Sequence, residues 1–275
     1  MSFYDLFPEE IFSFRHDMVS TMSNKSRIEW TEFTWNPTTG CTKISPGCKH
    51  CYAETMANRL QAMGAVGYKH GFKLTLKPDR LNQPFSRKKP AVYFVNSMSD
   101  LFHEDIPFGY LDKVFEVIRQ TPHHTYQILT KRPEQMEEYF QGRKVPDNAW
   151  LGVSVEDKKY GLPRIDILRK VNAATRFLSV EPLLEDLGTF NLSDIHWVIV
   201  GGESGPKARQ MKEEWVANIE KQCTSARTAF FFKQWGAFGA DGKRRSKSAN
   251  GREFMGKIWD GLPNDKTQMK LPLVG

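Results

Sequence analysis

The strongest constraint on this chain is a repeated alternation of short apolar runs with helical stretches. Six runs are rich in β-branched and aromatic side chains: Val92–Asn96, Thr125–Leu129, Trp150–Val155, Arg176–Val180, Trp197–Val200 and Ala229–Phe232. Ile28–Thr34 reads as a further strand ahead of them. Runs this uniformly apolar suit strands covered on both faces, as in a parallel sheet packed between helices. Tyr52–Met63, Gly109–Gln120, Pro133–Phe140, Arg164–Val171 and Lys212–Ala226 read as the intervening helices. In the second of these, Leu111, Val114, Phe115 and Ile118 share one face. Such alternation argues for a (β/α) barrel or an open doubly wound sheet. The barrel, full or partial with six to eight parallel strands, is the expectation taken forward.

The residues just past each strand are more informative than the strand itself. The runs lead in turn into Ser97-Met98-Ser99-Asp100, Thr130-Lys131-Arg132, Glu156-Asp157, Glu181-Pro182, Gly201-Gly202-Glu203-Ser204-Gly205 and Lys233-Gln234-Trp235. In a parallel barrel all C-terminal strand ends meet at one mouth, where residues distant in sequence become neighbours. Any one of these acids or hydroxyls also suits the cap of the next helix. Six polar strand ends in succession point to a site.

Three of the four cysteines fall within eleven positions, as Cys41, Cys48 and Cys51, while Cys223 stands alone. Thiolates are soft ligands for zinc or iron–sulfur clusters. A structural zinc site needs four closed ligands. His50 and Cys223 are the available fourth donors for one, and neither is evident from spacing. A [4Fe–4S] cluster held by three cysteines instead keeps one iron open, and that iron can chelate the amino and carboxylate groups of S-adenosylmethionine. The cluster is the favoured reading.

Basic residues exceed acidic ones by 39 − 32 = 7, which favours polyanionic partners such as nucleic acid. Arg87-Lys88-Lys89 and Lys243-Arg244-Arg245 with Lys247 are local basic clusters, suited to gripping phosphates or to lying in solvated loops. No run nears the roughly 18 apolar residues that span a bilayer. The start of the chain carries Asp5, Glu9 and Glu10 where a secretory signal needs basic and then apolar residues. A cytoplasmic location is expected. Residues 1–25 read as an N-terminal extension, 26–265 as the barrel and 266–275 as a tail, with a closing segment near Ile258–Leu262. Trp150, Trp197 and Trp235 read as core. His103 is the histidine placed to act as an acid or base.

Trp35-Asn36-Pro37, Gly40-Cys41-Thr42-Lys43, Pro46-Gly47-Cys48 and Cys51-Tyr52-Ala53-Glu54 together resemble a phage-associated three-cysteine-motif family of unknown function. That family is similar to radical S-adenosylmethionine proteins. The likeness continues through Leu129–Pro133, Gly152–Glu156, Leu178–Leu183, Val200–Gly205 and Phe232–Gly236. It implies a radical-type barrel in which Cys41, Cys48 and Cys51 hold the cluster, despite a first gap of six residues where three is common. It further implies that Ser97, Ser99 and Asp100 meet the methionine amino group, and that Ser154 and Glu156 meet the ribose hydroxyls. Lys131, Glu181, Glu203 and Lys233 are the candidates for cofactor carboxylate or substrate. Lys131, Glu181 and Lys233 are the catalytic candidates among them. Gly201 and Gly202 are expected to let backbone approach adenine or substrate. An electron donor, a nucleic-acid or nucleotide substrate and a protein partner encoded nearby belong to this reading. A non-catalytic nucleic-acid-binding protein with a structural zinc or iron–sulfur site is the alternative, and a zinc-assisted hydrolase is a third.

Overall fold

The computed structural model describes residues 25–26 and 28–263. The N-terminal extension, apart from Lys25, and the tail lie outside the described residues. Seven strands form one sheet: β1 Phe33–Trp35, β2 Val92–Val95, β3 Thr125–Thr130, β4 Ala149–Ser154, β5 Thr175–Val180, β6 Trp197–Gly201 and β7 Ala229–Gln234. Every neighbouring pair is parallel, and spatial order follows chain order. A doubly wound sheet would reverse its order at a switch point; this one never does. It curls into a half-barrel. Five longer helices connect or flank the strands among the described residues: α1 Tyr52–Ala62, α2 Phe108–Gln120, α3 Pro133–Phe140, α4 Leu162–Lys170 and α5 Glu213–Ala226. No helix among the described residues is long and apolar enough to cross a membrane.

Successive side chains on a strand point to opposite faces, and here each face has its own core. Val95, Ile128, Val153, Val180, Val200 and Phe232 pack outward in the larger cluster, with Leu111, Val114, Phe115 and Ile118 of α2. Phe94, Phe177, Trp197, Ile199 and Phe231 turn inward and fill the concave side. Trp30 plugs that interior, its ring 4.7 Å from Phe94 and 6.1 Å from Trp197. This corrects the expected strand Ile28–Thr34: only Phe33–Trp35 pairs with β2, because the preceding turn carries Trp30 into the interior. Each of these buried aromatics contributes about 1.5–3 kcal/mol relative to exposure. Gly152 is the small residue this crowding demands, since a Cβ there would lie 2.6 Å from the Phe177 ring.

The same alternation, carried past the strand ends, sets the inward positions of the mouth. Gln127 and Leu129 lead to Lys131, Trp150 and Gly152 to Ser154, Phe177 and Ser179 to Glu181, Trp197 and Ile199 to Gly201, and Phe231 to Lys233. The closing segment falls where expected. Asp260 bridges Phe231 in antiparallel sense, and Trp197 Nε1 donates to Gly261 O at 2.7 Å.

Candidate functional site

The cysteines lie on the loop between β1 and α1, at the C-terminal end of the sheet. Gly40 opens it with φ +83, and a Cβ there would come 2.3 Å from Lys73 O. Only glycine tolerates that approach. The Gly40 N–H donates to Met98 O at 3.0 Å and the Cys41 N–H to Phe72 O at 3.2 Å. A 3-10 turn, Pro46–Cys48, comes directly after Ser45, and Cys51 sits immediately before the first residue of α1. All three thiols are half-buried and free. Cys223 is fully buried on α5 among core residues, which sets it apart from the loop.

Arg132, at the end of β3, holds the first half of the loop. Its side chain is 7% exposed. Nη2 donates to Thr42 Oγ1 at 2.7 Å and to Thr42 O at 3.2 Å, and Nη1 approaches Cys41 Sγ at 3.5 Å. Nε meets Glu104 Oε2 at 2.5 Å. The second ion-pair partner is Asp100 Oδ2, 3.3 Å from Nη1. Asp100 itself also accepts from Thr130 Oγ1 (2.7 Å), Lys131 N (3.0 Å) and Phe102 N (3.1 Å). It clamps the end of β2 to the end of β3.

Glu156 holds the second half. It is fully buried, takes a hydrogen bond from the Ser45 hydroxyl beside Cys48, and pairs with Arg164 Nη1 at 2.7 Å. Burial opposes its ionisation, but the Lys131 and Arg164 charges and these hydrogen bonds hold its carboxyl below the usual range. A Cβ on Gly47 would touch the same carboxylate at 3.0 Å, so the loop packs directly on Glu156. Beside it, Lys131 Nζ donates to Ser154 Oγ at 3.0 Å.

At the ends of β5 and β7, Lys233 Nζ lies 3.1 Å from Glu181 Oε1. Gly201 makes room for that carboxylate, which a Cβ would meet at 2.3 Å. Gly202 allows backbone to pack on backbone, since its Cβ would lie 2.0 Å from Trp235 O. Glu203 is gripped by Arg209 through N at 2.8 Å, Nε at 2.9 Å and Nη2 at 2.6 Å. Gln234 leaves Oε1 buried without a partner among the described residues.

The sequence candidates therefore divide. Lys131 with Ser154, and Glu181 with Lys233, form two pairs on the inward side. Asp100, Glu156 and Glu203 are each committed to a neighbouring arginine. Ser99 bonds to Thr38 O at 2.9 Å, and Ser97 to Asn36 Oδ1 at 3.2 Å. His103 is 2% exposed and locked against Thr42 Oγ1 at 2.9 Å. Trp197 and Trp235 are core, as read. Sequence reasoning named Arg132 only within a polar strand end, without a role, and missed Arg164, Arg209 and Ser45. The visible signal was the row of strand-end acids, each of which needs a cation once buried.

The thiols differ in readiness. Burial, reinforced by Asp100, pushes Cys41 up to about 11, with the Arg132 charge pulling the other way. Cys48 lies below its ordinary value: burial opposes ionisation, but the Lys131 charge and hydrogen bonds from Ile44 and Ser45 outweigh it. Among the described residues no three Cys, His, Asp or Glu groups are gathered closely enough to hold an ion. The donor chemistry nonetheless fits a soft metal centre. Three unoxidised thiols share one loop, and ligation would displace their protons.

The structure is similar to that of spore photoproduct lyase complexed with dinucleoside spore photoproduct. Identity is 16%, the TM-score is 0.46, and the match covers 74% of this chain and 64% of the lyase. A mutant of that lyase with bound AdoMet and dinucleoside spore photoproduct matches at 16% identity and TM-score 0.45, with the same coverage. The chain thus spans under two thirds of these relatives. No curated protein matches. The half-barrel and its cysteine loop lie within residues 25–263, and over that span the chain belongs to the family described as Protein of unknown function (DUF5131).

Proposed function

We propose that this protein is a radical S-adenosylmethionine enzyme acting on a nucleic acid or nucleotide. The observation that carries the proposal is the placement of Cys41, Cys48 and Cys51 on one loop at the mouth of a parallel half-barrel, held from below by Arg132 and Glu156. These three cysteines would hold a [4Fe–4S] cluster. Once bound and reduced by an electron donor, such a cluster would supply one-electron cleavage of S-adenosylmethionine and so the means of abstracting hydrogen from substrate.

The chain's own residues bind, orient and shield. Lys131 hydrogen-bonds only to a neutral hydroxyl, Ser154, and its charge, which also favours ionised Glu156 and Cys48, suits a cofactor carboxylate. Ser154 is the hydroxyl beside it. The Glu181–Lys233 pair extends from the strand next to that of Ser154 and suits substrate heteroatoms. Gly201 and Gly202, expected to let backbone approach a ligand, instead make room for the Glu181 carboxylate and for Trp235 O, and so position that pair. The aromatic fill beneath, around Trp197 and Trp30, closes the barrel floor and confines the chemistry to the mouth. Asp100, Glu156 and Glu203 support this arrangement through their arginines and are assigned positioning roles. The basic excess of 7 supports a polyanionic substrate.

Anaerobic reconstitution with iron and sulfide tests the reading. A brown protein with about four irons per chain is expected, and dithionite with S-adenosylmethionine should release 5′-deoxyadenosine. Colourless protein retaining one tightly bound zinc would overturn it.

A further inference from the structure

Two loops leave the mouth side by side, one after β6 and one after β7. Ala237 N donates to Glu203 O at 2.9 Å and Gly202 N to Gln234 O at 3.0 Å, so they form one wall. Their outer part encloses a cavity of about 230 Å³ lined by Ser204, Pro206, Arg244, Ser246 and Lys247, among others. Arg244 is anchored there by the carbonyls of Gly205 (2.9 Å) and Pro206. Both are neutral acceptors, so the guanidinium is fixed in place with its charge uncompensated. The other ion pairs of the wall are Arg209–Glu203, Arg245–Asp241 and Lys247–Glu29. Lys207 and Lys243, both exposed, have no acidic partner among the described residues. The wall thus presents three cations outside any ion pair, one on the first loop and two on the second, beside a pocket with two serines; of these Lys243 lies near Asp241, which is already paired with Arg245.

We propose that this wall grips the phosphodiester backbone of a single nucleic-acid strand and feeds one nucleotide of it into the mouth. Recurring phosphates match cations spread over two loops, whereas a lone small anion would need only one. A single strand is favoured because a base stacked in a duplex reaches such a mouth only by being flipped out, at a cost of a few kcal/mol in unstacking and unpairing. Backbone contacts of this kind position a strand without reading its sequence. The destination of the strand rests on the proposed function; its binding does not.

The test uses the full chain as purified and a fluorescein-labelled twelve-nucleotide strand, as DNA and as RNA, followed by anisotropy across a potassium chloride series. Each phosphate contact on a single strand contributes roughly the inverse salt concentration to the power 0.7, about fourfold at 0.15 M. Lys207→Ala with Lys243→Ala should therefore weaken binding about 15-fold and lower the salt slope by about 1.4. Lys88→Ala with Lys89→Ala removes the same charge before β2, at the other end of the sheet, and should change binding less than about twofold. Equal losses in both double variants would overturn the proposal, as would wild-type protein that fails to bind either strand at 50 mM salt. A mononucleotide binding as tightly as the strand would also overturn it. Tighter binding of DNA or of RNA would identify the source of the strand. Iron content and 5′-deoxyadenosine release, read on the same samples, report separately on the proposed chemistry: loss of both with the strand result intact would remove only the enzyme.

Discussion

Replacing Arg132 with lysine should free the cysteine loop while keeping its charge balance. The guanidinium makes two bonds to Thr42 from Nη2, at 2.7 and 3.2 Å, and reaches Asp100 and Cys41 from Nη1. A lysine has three donors on one atom and no fork. At best it keeps the Asp100 contact, and both Thr42 bonds are lost. A hydrogen bond from a charged donor contributes about 1.5–3 kcal/mol. Because the two bonds share one nitrogen, we take about 2–3 kcal/mol for the pair. The Glu104 contact is left out, since that carboxylate is 51% exposed and water replaces it. At tenfold per 1.4 kcal/mol, loop opening should rise roughly 30- to 150-fold. The assay is amide hydrogen exchange in metal-free protein. Gly40 and Cys41, whose amides bond to Met98 O and Phe72 O, report the opening; the amides of β6 serve as the reference. Exchange at Gly40 and Cys41 within threefold of wild type would refute the reasoning. A rise shared equally by β6 would mean global destabilisation, which also refutes it.

Substituting Cys41, Cys48 and Cys51 together with alanine should abolish iron uptake, measured by metal and sulfide analysis. Cys223→Ala, buried on α5, should leave it intact. Glu156 has a folded carboxyl below its ordinary value of 4.5, so its ionised form stabilises the fold above that pH. The contribution is lost as pH falls through the depressed value; labelling of Cys48 by 4,4′-dithiodipyridine should quicken below about pH 4.5, and Glu156→Gln should flatten the dependence. Gly202→Ala would force a methyl against Trp235 O. A cost of about 1–3 kcal/mol should lower the thermal midpoint by roughly 2–10 °C, read by circular dichroism.

Much of the frame was legible because the two periodicities differ. The six strand runs end within two residues of where they were read, and α3 spans Pro133–Phe140 as the pattern has it. The polar strand ends were legible as a set, and the structure joins Lys131 to Ser154 and Glu181 to Lys233 among them. The β1 region was misread because apolar periodicity cannot distinguish a paired strand from a turn that buries one tryptophan. Trp30 supplies the same hydrophobic signal in either place. Pairings across the mouth were not legible at all. Arg164 lies 8 positions from Glu156 and Ser45 lies 111, separations fixed by helix placement and loop path.

The strand-end acids carry a broader consequence for how such a mouth can be dissected. Sequence alone offers two roles for each, a cap on the next helix or a contact to ligand. The structure adds a third, a clamp between elements. Asp100 ties β2 to β3 and Glu156 ties β4 to the cysteine loop, while Glu203 folds the loop after β6 onto itself through Arg209. Neutralising one of them leaves a partly buried arginine without its partner, which destabilises by several kcal/mol whatever the chemistry. Lost activity in Asp100→Ala or Glu156→Ala would therefore not distinguish binding from folding. Lys131 and Ser154 do distinguish them. They bond to each other, and Lys131 also supports ionised Glu156 through its charge alone, so Lys131→Met should lower the thermal midpoint less than Glu156→Ala does while weakening S-adenosylmethionine binding tenfold or more. The ion–carboxylate contact it removes is of the order of 1.5–3 kcal/mol. Calorimetric titration of S-adenosylmethionine into cluster-loaded protein reads that loss, and unaltered affinity would remove Lys131 from the site.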